Sequence, residues 1–308
     1  MPISEWKHDL ASHLQKTCAG DVLLDEPLAR HTWYRIGGPA DVFVSPKNSD
    51  DVINVLAYCR AYQIPCFLIG EGANLLVSDA GYRGVMVYLA RYLNTITRQA
   101  QILDVQAGAL LQEVVLTCER HHLGGMEYMA GIPGTVGGAL IMNAGTDRGE
   151  IGDTVSEVSL LNEEYTQIVT MKRDAISFEY RNVPQLQDTI ILGCKLLLHH
   201  EEESRLRARR LQQLQRRAAT QPLEYPSCGS VFKRPPHHYV GKLVQDLGLK
   251  GYRCGDAMIS DKHGGFIVNL GTATASQVKT LIDKIQAEVY QQFGIRLEPE
   301  VRFVGFDQ

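Results

Sequence analysis

The chain lacks the excess of basic residues that proteins binding nucleic acids carry. Its 308 residues include 31 Lys and Arg against 35 Asp and Glu, which gives a formal net charge of −4. No apolar run reaches the ~18 residues of a membrane-spanning helix. The opening residues, MPISEWKHDLASHLQ, also lack the apolar centre of a secretory signal. We therefore expect neither nucleic-acid partners nor membrane insertion.

Paired cysteines and metal-ligand spacings are also missing. The seven cysteines form no C-x-x-C pair, and an odd count at irregular spacing favours reduced thiols in a cytosol. The three pairs of neighbouring histidines show no metal-ligand spacing with cysteine or carboxylates, so we predict no metal. There is no internal repeat or low-complexity tract, and the length suits two or three compact units.

The apolar pattern predicts strands and helices interspersed in an α+β protein of several domains. ADVFVSP, CFLIG and GVMVYL are typical of strands, and IRLEPEVRFVG predicts a final strand. SDDVINVLAYCRAYQ predicts a helix capped by Ser49. TASQVKTLIDKIQAEVYQQF predicts an amphipathic helix that ends at Gly294.

The segment EEESRLRARRLQQLQRRAA differs in composition from the rest of the chain. Charge runs usually face solvent, so the segment predicts an exposed helix that joins two domains. A nucleic-acid patch is the alternative, and it is disfavoured because the segment has no aromatic residues and begins with three glutamates.

Two glycine-rich stretches indicate a bound phosphate. GIPGTVGGALIMNAG holds five glycines, and its second half predicts a short helix whose first amides, over Gly134–Gly138, would hold a pyrophosphate. IGEGANLL has the same character. Neither stretch is a G-x-G-x-x-G fingerprint or a P-loop. Each alone also fits a tight turn, but two together favour a large phosphate-bearing ligand.

Seven ordered blocks give the chain a specific resemblance. They are HTWYRIGGPADVFV, IGEGANLLVSD, MEYMAGIPGTVGGALIMNAG, FEYRN, YPSCGSVFKRP, GKLVQDLGLKGYRCGDAMISDKHGGFIVN and LEPEVRFVG. The series resembles the UDP-N-acetylenolpyruvoylglucosamine reductase family of bacterial peptidoglycan synthesis. The resemblance implies FAD and NADPH as cofactors and a UDP-sugar enolpyruvate as substrate. It also implies a p-cresol-methylhydroxylase-type pair of FAD-binding subdomains, followed by a substrate-binding domain.

The same resemblance implies a domain plan and a cofactor site. FAD-binding subdomain 1 would cover residues 1–90 and be joined by the C-terminal strand 298–308, subdomain 2 would cover 91–200, and the substrate domain 201–297. We expect a cytoplasmic monomer. The implied cofactor-binding residues are Tyr34, Arg35, Gly70, Glu71, Gly72, Ala73, Asn74, Leu75, Gly131, Ile132, Pro133, Gly134, Val136, Gly137, Gly138, Asn143 and Ala144.

Three side chains carry the chemistry that the resemblance implies. Arg181 in FEYRN would hold a carboxylate or enolate oxygen with its planar guanidinium. Ser230 in SCGSVFKRP would donate a proton, polarised by a cation such as Lys233. Glu300 in LEPEVRFVG would stabilise developing charge through a pKa raised by burial. Glu298 competes with Glu300 because strand alternation places both on one face.

The substrate-facing residues include two departures from the family pattern. Arg234 and Gly265 stand where the family usually has asparagine, and we predict that Arg234 fills the space left at Gly265 and contacts the sugar nucleotide. Cys228 is interpreted as a small packed residue. The third domain carries no obvious inserted block, which favours the shorter family type. The implied substrate-binding residues are Lys233, Arg234, Lys242, Ser260, His263 and Gly265.

Two other functions compete with the reductase. Another FAD-dependent oxidoreductase on the same fold, such as an alcohol or lactone oxidase, would share the glycine stretches. It would not need Arg181, Ser230 and Glu300 together. A flavin- or nucleotide-binding protein with a silent site ranks last, because all three of these side chains are present.

Overall fold

The chain folds into two compact units. The computed structural model describes residues 3–306, with side chains from residue 6 onward. Unit 1 comprises the described residues up to Asp25 together with Asp41–Glu71 and Gly84–Gln215. Unit 2 comprises Glu26–Ala40, Gly72–Arg83 and the described residues from Arg216 onward. Residues 1, 2, 307 and 308, which belong to the predicted ranges 1–90 and 298–308, lie outside the described residues.

Helices and strands are interspersed along the chain, which confirms the predicted α+β class. The helices within residues 3–306 are α1 (Ile3–Thr17), α2 (Ser49–Ala61), α3 (Leu111–Arg120), α4 (Val136–Ile141), α5 (Glu203–Thr220), α6 (Val240–Asp246) and α7 (Ala275–Phe293).

The strands are mostly short. They are β1 (Asp21–Pro27), β2 (Pro39–Ser45), β3 (Cys66–Ile69), β4 (Leu75–Val77), β5 (Tyr82–Tyr88), β6 (Ile96–Gln99), β7 (Ile102–Gln106), β8 (Leu123–Gly124), β9 (Gly145–Thr146), β10 (Gly149–Glu150), β11 (Val155–Leu161), β12 (Ile168–Lys172), β13 (Ile191–Leu197), β14 (His199–His200), β15 (Arg253–Cys254), β16 (Ala257–Ile259), β17 (Ile267–Asn269) and β18 (Arg302–Val304).

Two sheets organise unit 1. A four-stranded sheet in the order β1-β2-β5-β3 has most of its residues there, and β3 and β5 are parallel. A five-stranded sheet in the order β12-β11-β13-β7-β6 lies wholly in unit 1 and is antiparallel at every pairing. Apolar side chains from strands and helices form the core of this unit, among them Val105, Val114 and Val158, all at 0% exposure.

Unit 2 is built on a small sheet and one long helix. Strands β15, β16 and β17 form an antiparallel sheet, and β18 pairs in parallel with β4. The apolar stripe of α7, predicted from its spacing, is buried at Val278, Leu281, Ile282, Ile285 and Val289. Gly294 ends α7 in the left-handed conformation with φ 68°, as predicted. Of the predicted final strand, only β18 takes strand geometry.

Helix α2 begins at Ser49, the residue that was predicted to be its cap. Asn48 is the N-cap, and its Oδ1 accepts a hydrogen bond from the Asp51 amide at 2.9 Å. Ser49 is therefore the first helical residue, and the prediction that it caps the helix is wrong. Asparagine and serine cap helices about equally well, so the two neighbouring candidates could not be separated by residue type.

The charged segment forms helix α5 as predicted, but one side of the helix is packed. In unit 1, Arg210 donates to both carboxylate oxygens of Glu119, at 2.5 Å and 3.3 Å, and Leu206 is 2% exposed. Arg209 donates to Glu127 at 2.9 Å. The boundary between the two units falls within α5, after Gln215. The predicted exposed helix is therefore confirmed over most of its length, and its packed side arises because its arginines pair with acidic residues far away in sequence.

Candidate active site

The two glycine-rich stretches meet in unit 1. A Cβ built on Gly70 would lie 2.2 Å from Oγ1 of Thr135, far inside van der Waals contact. No side chain larger than a hydrogen therefore fits at position 70. This contact places the loop after β3 directly against the segment that precedes α4, so the two sequence signals belong to one place in the fold.

The start of α4 differs from the predicted anion site. Thr135 caps the helix, and its Oγ1 accepts from the Gly138 amide at 3.4 Å. The amides of Val136 and Gly137 donate to the carbonyls of Ala109 and Ala107 at 2.9 Å and 2.8 Å. The short helix is confirmed. These three amides are already bonded within the chain, so they are not the donors that the prediction assigned to a pyrophosphate.

Glycine is required in the segment just before α4. Gly131 and Gly134 have φ values of 77° and 115°, a region that side chains with a Cβ rarely adopt. Thr135 was missed as part of the site. A threonine directly before the first residue of a helix is an N-cap signal, and this signal could have identified Thr135.

A tyrosine outside the predicted site holds the first glycine loop. The Tyr88 hydroxyl on β5 donates to Oε1 of Glu71 at 3.1 Å. Burial, followed by the charge of Glu71, raises the pKa of Tyr88 to about 12, so the phenol stays protonated and remains a donor. No local sequence pattern links these two residues, because Tyr88 lies on β5, seventeen positions after Glu71.

Arg181 stands at the tip of a two-residue turn in unit 1. The amide of Glu179 donates to the Asn182 carbonyl at 2.9 Å, and the amide of Asn182 donates back at 3.2 Å. Arg181 itself has φ 55°, a left-handed conformation that is uncommon outside glycine, asparagine and aspartate. Its guanidinium donates to the carbonyls of Asn143 and Gly145 at 3.4 Å and 3.2 Å. The turn thus projects the guanidinium back onto the end of the glycine-rich stretch.

Asn143 is the most buried polar residue of this stretch, at 0% exposure. Its Nδ2 donates to Oε2 of Glu150 at 2.5 Å and to the Glu179 carbonyl at 3.0 Å. Its Oδ1 accepts from the Gly152 amide at 3.2 Å. The side chain therefore bonds to the chain itself with both of its polar atoms.

The segments that carry Ser230 and Glu300 pair through their main chains in unit 2. The amide of Glu300 donates to the carbonyl of Val231 at 2.8 Å, and Phe232 pairs with Pro299 in an antiparallel bridge. Ser230 is exposed and Glu300 is half-buried. Residues seventy positions apart in sequence, as their numbers show, are thus brought together by main-chain pairing.

Asn74 is hydrogen-bonded to the segment that carries Glu300 in unit 2. Its Nδ2 donates to the Glu300 carbonyl at 2.9 Å, and its own carbonyl accepts from the Arg302 amide at 3.0 Å. Gly72, two residues earlier, has φ 61°, and a Cβ there would lie 2.3 Å from the His31 carbonyl oxygen. A predicted cofactor residue and a predicted catalytic residue are therefore neighbours.

Tyr34 and Cys228 are buried residues of unit 2, and Cys228 lies close to Glu300. Tyr34 is 0% exposed, and its hydroxyl donates to the Ile267 carbonyl at 3.0 Å. Burial raises the pKa of Cys228 to about 12, while the hydrogen bond with Tyr34 lowers it and the charge of Glu300 raises it further. Cys228 is 4% exposed, so it is a packed neutral thiol, as interpreted from the sequence.

The two glutamates of LEPEVRFVG have different surroundings. Lys233 donates to Oε1 of Glu298 at 2.5 Å, and the Glu298 side chain is 70% exposed. Glu298 is thus held in a surface ion pair, whereas Glu300 lies next to the buried thiol of Cys228. The same pairing occupies Lys233, which the sequence suggested as the polarising cation for Ser230.

The space beside Gly265 is filled by histidine. A Cβ on Gly265 would lie 3.0 Å from Cε1 of His263, with no atom of Arg234 among its nearest neighbours. The Arg234 guanidinium instead lies 3.9 Å from the Tyr239 ring centroid. The prediction that Arg234 fills this space is therefore wrong, because the Gly265 amide donates to Nδ1 of His263 and holds the ring there.

Three further predicted substrate residues have local partners. Burial lowers the pKa of His263, so its imidazole is neutral near neutral pH. Ser260 is 2% exposed, and its hydroxyl accepts from the amides of Lys262 and His263. Lys242 is exposed on α6 and pairs with Asp246 at 3.0 Å.

The predicted site residues divide between the two units. Unit 1 holds Gly70, Glu71, Gly131, Ile132, Pro133, Gly134, Val136, Gly137, Gly138, Asn143, Ala144 and Arg181. Unit 2 holds Tyr34, Arg35, Gly72, Ala73, Asn74, Leu75, Ser230, Lys233, Arg234, Lys242, Ser260, His263, Gly265 and Glu300.

The part of the chain that the structure describes holds neither a metal cluster nor a membrane-crossing helix. Within residues 3–306, no group of three or more His, Cys, Asp or Glu side chains is arranged to hold a metal ion. No helix in that range combines the length and apolar character that a membrane crossing requires. The seven cysteines are all free thiols.

Two family models match the chain. Residues 40–170 match the model described as FAD binding domain, and residues 221–304 match that of the UDP-N-acetylenolpyruvoylglucosamine reductase C-terminal domain. An FAD binding domain is thus followed along the chain by the C-terminal domain of the reductase family. The two matches confirm the predicted fold class.

Similar proteins cover nearly the whole chain. A UDP-N-acetylenolpyruvoylglucosamine reductase from Caldanaerobacter subterraneus is 44% identical over 93% of this chain and 94% of its own length. One from Listeria monocytogenes is 41% identical over 93% of this chain and 96% of its own length. The crystal structure of the reductase from Thermus caldophilus aligns with TM-score 0.78 and 32% identity, covering 92% of this chain and 98% of that one.

Proposed function

The chain belongs to the UDP-N-acetylenolpyruvoylglucosamine reductase family, and we propose that it reduces UDP-N-acetylglucosamine enolpyruvate to UDP-N-acetylmuramate in peptidoglycan synthesis, using NADPH and FAD. The observation that carries this function is the main-chain pairing of the two segments that hold Ser230 and Glu300. The Glu300 amide donates to the carbonyl of Val231, the residue after Ser230, so the proton donor and the carboxyl group are carried by paired segments.

The glycine segments of unit 1 fit the FAD pyrophosphate. Gly70 packs against Thr135 without space for a Cβ, and Gly131 and Gly134 adopt φ values that require glycine. Bare backbone of this kind lets a phosphate approach main-chain amides closely. Because the first amides of α4 are already bonded, we assign the phosphates to the loop at Gly70 and the segment over residues 131–135.

The reaction adds two electrons and two hydrogens across the enolpyruvyl double bond. FAD held by these glycine segments would supply the two-electron chemistry between NADPH and C3 of the enolpyruvyl group. Negative charge then develops at C2 and on the substrate carboxylate. The protein has to stabilise that charge and deliver a proton to C2.

Ser230 is assigned the proton transfer to C2. Ser230 is an exposed residue, as one that must reach substrate should be. Lys233 is engaged by Glu298, so it is not the cation that polarises the serine in this arrangement. The neighbouring Glu300 is assigned the role of stabilising the developing charge, and the ion pair of Glu298 argues against Glu298 for this role.

Arg181 is assigned to the substrate carboxylate. A guanidinium at the tip of a tight turn presents several hydrogen-bond donors in one plane. Its two carbonyl contacts, at 3.4 Å and 3.2 Å, hold that plane in a fixed direction. The residue is also half-buried, which strengthens a charge interaction relative to bulk water.

We assign the substrate to residues of unit 2, namely Lys233, Arg234, Lys242, Ser260, His263 and Gly265. We also assign to the chain the three domains whose bounds were predicted from the sequence. The free cysteines support a reducing compartment, which we take to be the cytoplasm, and the protein is assigned as a monomer. Size-exclusion chromatography with light scattering measures the oligomeric state directly.

An anaerobic flavin titration tests the proposed function. The purified protein is expected to carry the yellow absorbance of oxidised FAD, to bleach with NADPH, and to regain colour when the enolpyruvyl nucleotide is added without oxygen. Recovery of colour only on admitting oxygen would instead indicate an oxidase on the same fold. A protein that never bleaches with NADPH would contradict the reductase outright.

A further inference from the structure

Asn143 is held at the centre of a hydrogen-bond network that ends on Arg181. Its amide nitrogen donates to Glu150 and to the Glu179 carbonyl, and its amide oxygen accepts from Gly152. The residue is 0% exposed, so these bonds are shielded from water and each is costly to break. Both polar atoms of the amide are used inside the protein, which argues against a cofactor contact through this side chain.

Asn143 is hydrogen-bonded to the turn of Arg181 at two points. Glu179, whose carbonyl accepts from the Asn143 side chain, opens the two-residue turn. The main-chain carbonyl of Asn143 accepts from the Arg181 guanidinium itself at 3.4 Å. One residue therefore fixes both the base of the turn and the direction of its functional side chain.

The backbone at this position narrows the choice of residue. Asn143 has φ 41°, in the left-handed region, where asparagine is among the few residues tolerated. Glycine would accept the conformation but would supply no amide. Aspartate would keep the shape but would place oxygen acceptors against the Glu150 carboxylate and the Glu179 carbonyl. Asparagine combines the required conformation with the required donors.

The acceptor of this network is itself anchored. The Glu150 amide donates to Oδ2 of Asp153 at 2.8 Å, and the Tyr128 hydroxyl donates to the Glu150 carbonyl at 2.7 Å. A main chain tied at both polar groups cannot readily shift to follow a displaced partner. Loss of the Asn143 donors would therefore release the turn of Arg181 rather than move Glu150.

We propose that Asn143 is a positioning residue for Arg181 and not a cofactor ligand. The inference rests on the proposed role of Arg181 in binding the substrate carboxylate. A guanidinium displaced by about 1 Å costs on the order of 10²-fold in rate. Asn143→Gly and Asn143→Asp are expected to lower kcat by about that factor while leaving the dissociation constant of FAD within about twofold of the wild-type value.

A double-mutant cycle separates positioning from general damage. In the Arg181→Ala background, Asn143→Gly is expected to cause no further loss of kcat/KM, because the side chain it positions is already gone. In the double variant Asn143→Asp/Glu150→Gln, the new amide at position 150 can donate to the new carboxylate at position 143. This reversed pair is expected to restore part of the activity lost in Asn143→Asp. Additive losses, or FAD binding weakened by about tenfold or more, would overturn the proposal.

A readout without turnover keeps the proposal testable if the enzyme proves not to reduce the enolpyruvyl nucleotide. Amide hydrogen exchange at Glu179 and Asn182, the two ends of the turn, is expected to accelerate by at least about tenfold in Asn143→Gly. Exchange at Val158 and Val105, in the core sheet, should stay unchanged. Unchanged exchange at the turn would reject the role of Asn143 whatever the substrate, whereas failed turnover with accelerated exchange would reject only the proposed function.

Discussion

Arg181 shows at the scale of a single residue how position and backbone strain are linked. Its φ of 55° costs about 1 kcal/mol for a side chain with a Cβ, because the Cβ crowds the following carbonyl oxygen. Strained residues of this kind tend to occur where the surrounding structure holds a side chain in place for function. Here the strain coincides with the guanidinium that the family motif marks.

The strain predicts that two substitutions of Arg181 differ in stability but not in activity. Arg181→Gly and Arg181→Ala both lose the contacts of the guanidinium, but only glycine relieves the left-handed backbone. We expect the glycine variant to be more stable than the alanine variant by about 1 kcal/mol, measured by urea unfolding. Both should lose reductase activity equally. Equal stability of the two variants would show that the turn relaxes without strain.

Gly70 and Gly138 form a matched pair of glycines. A Cβ at Gly70 meets Thr135 Oγ1 at 2.2 Å, whereas at Gly138 the nearest contact is the same atom at an ordinary 3.6 Å. Gly70→Ala is therefore expected to destabilise the protein by about 1–3 kcal/mol and to raise the FAD dissociation constant about tenfold. Gly138→Ala should leave the free energy of unfolding of the apoprotein unchanged or raise it by up to about 1 kcal/mol.

Measurement of both variants as apoproteins and with FAD separates the two effects. Fluorescence titration gives the dissociation constant, and denaturant unfolding gives the stability. Should Gly70→Ala prove as stable as the wild type, the loop would have to be free to move away from Thr135. The close packing of the two glycine stretches would then be wrong.

At the scale of elements, helix α7 is anchored by a residue from a distant loop. Oδ1 of Asp79 accepts from the Ala275 amide at 2.7 Å, and Oδ2 accepts from the amide and hydroxyl of Ser276 at 3.0 Å and 2.7 Å. Burial alone would raise the pKa of Asp79, but these hydrogen bonds outweigh it and lower the pKa. The loop after β4 is thereby fixed to the helix within unit 2.

The lowered pKa gives this anchor a defined pH dependence. A carboxylate with a depressed folded pKa contributes stability above its unfolded pKa of about 3.9, and the contribution is lost as pH falls through the folded value. Asp79→Asn is expected to cost about 1 kcal/mol near pH 7, by analogy with helix caps. The difference from the wild type should shrink below about pH 4. Thermal unfolding at several pH values measures it.

Thr274→Ala provides the control for the anchor. Thr274 caps the same helix through its hydroxyl, which accepts from the Gln277 amide at 3.2 Å and does not titrate. Its loss should cost a similar amount at every pH. A deficit of Asp79→Asn that persisted unchanged at low pH would show that the carboxylate charge contributes nothing.

Elements with long apolar periodicity were predictable, and those decided by side-chain partners were not. Helix α7 and its glycine stop follow from spacing and from one residue with a left-handed preference. The packed face of α5 does not, because Arg210 finds Glu119 ninety-one positions away, a pairing that no local pattern encodes. The bonds of the first amides of α4 to the carbonyls of Ala107 and Ala109 were likewise not predictable, because their partners lie outside the local sequence pattern.

At the scale of the molecule, the sequence motifs named candidate site residues but could not arrange them in space. The motif order indicated the family, and the glycine stretches indicated a phosphate. Alternation along the last strand does not separate Glu298 from Glu300, and only the register of the motif EVRFVG favours Glu300; the structure adds that Lys233 pairs with Glu298. The network around Asn143 was also hidden, since it joins segments separated by the whole of β11 and β12.

Binding of FAD to the folded chain gives the last prediction. A ligand that binds only the folded state stabilises it by about 2.7 kcal/mol at one hundred times its dissociation constant. For a chain of 308 residues this corresponds to a rise in Tm of about 4 °C. We expect FAD to produce this shift in the apoprotein. FMN has the same ring but lacks the pyrophosphate, so at equal concentration it should produce a clearly smaller shift. Equal shifts with both flavins would mean that the glycine segments at Gly70 and over residues 131–135 do not hold a pyrophosphate.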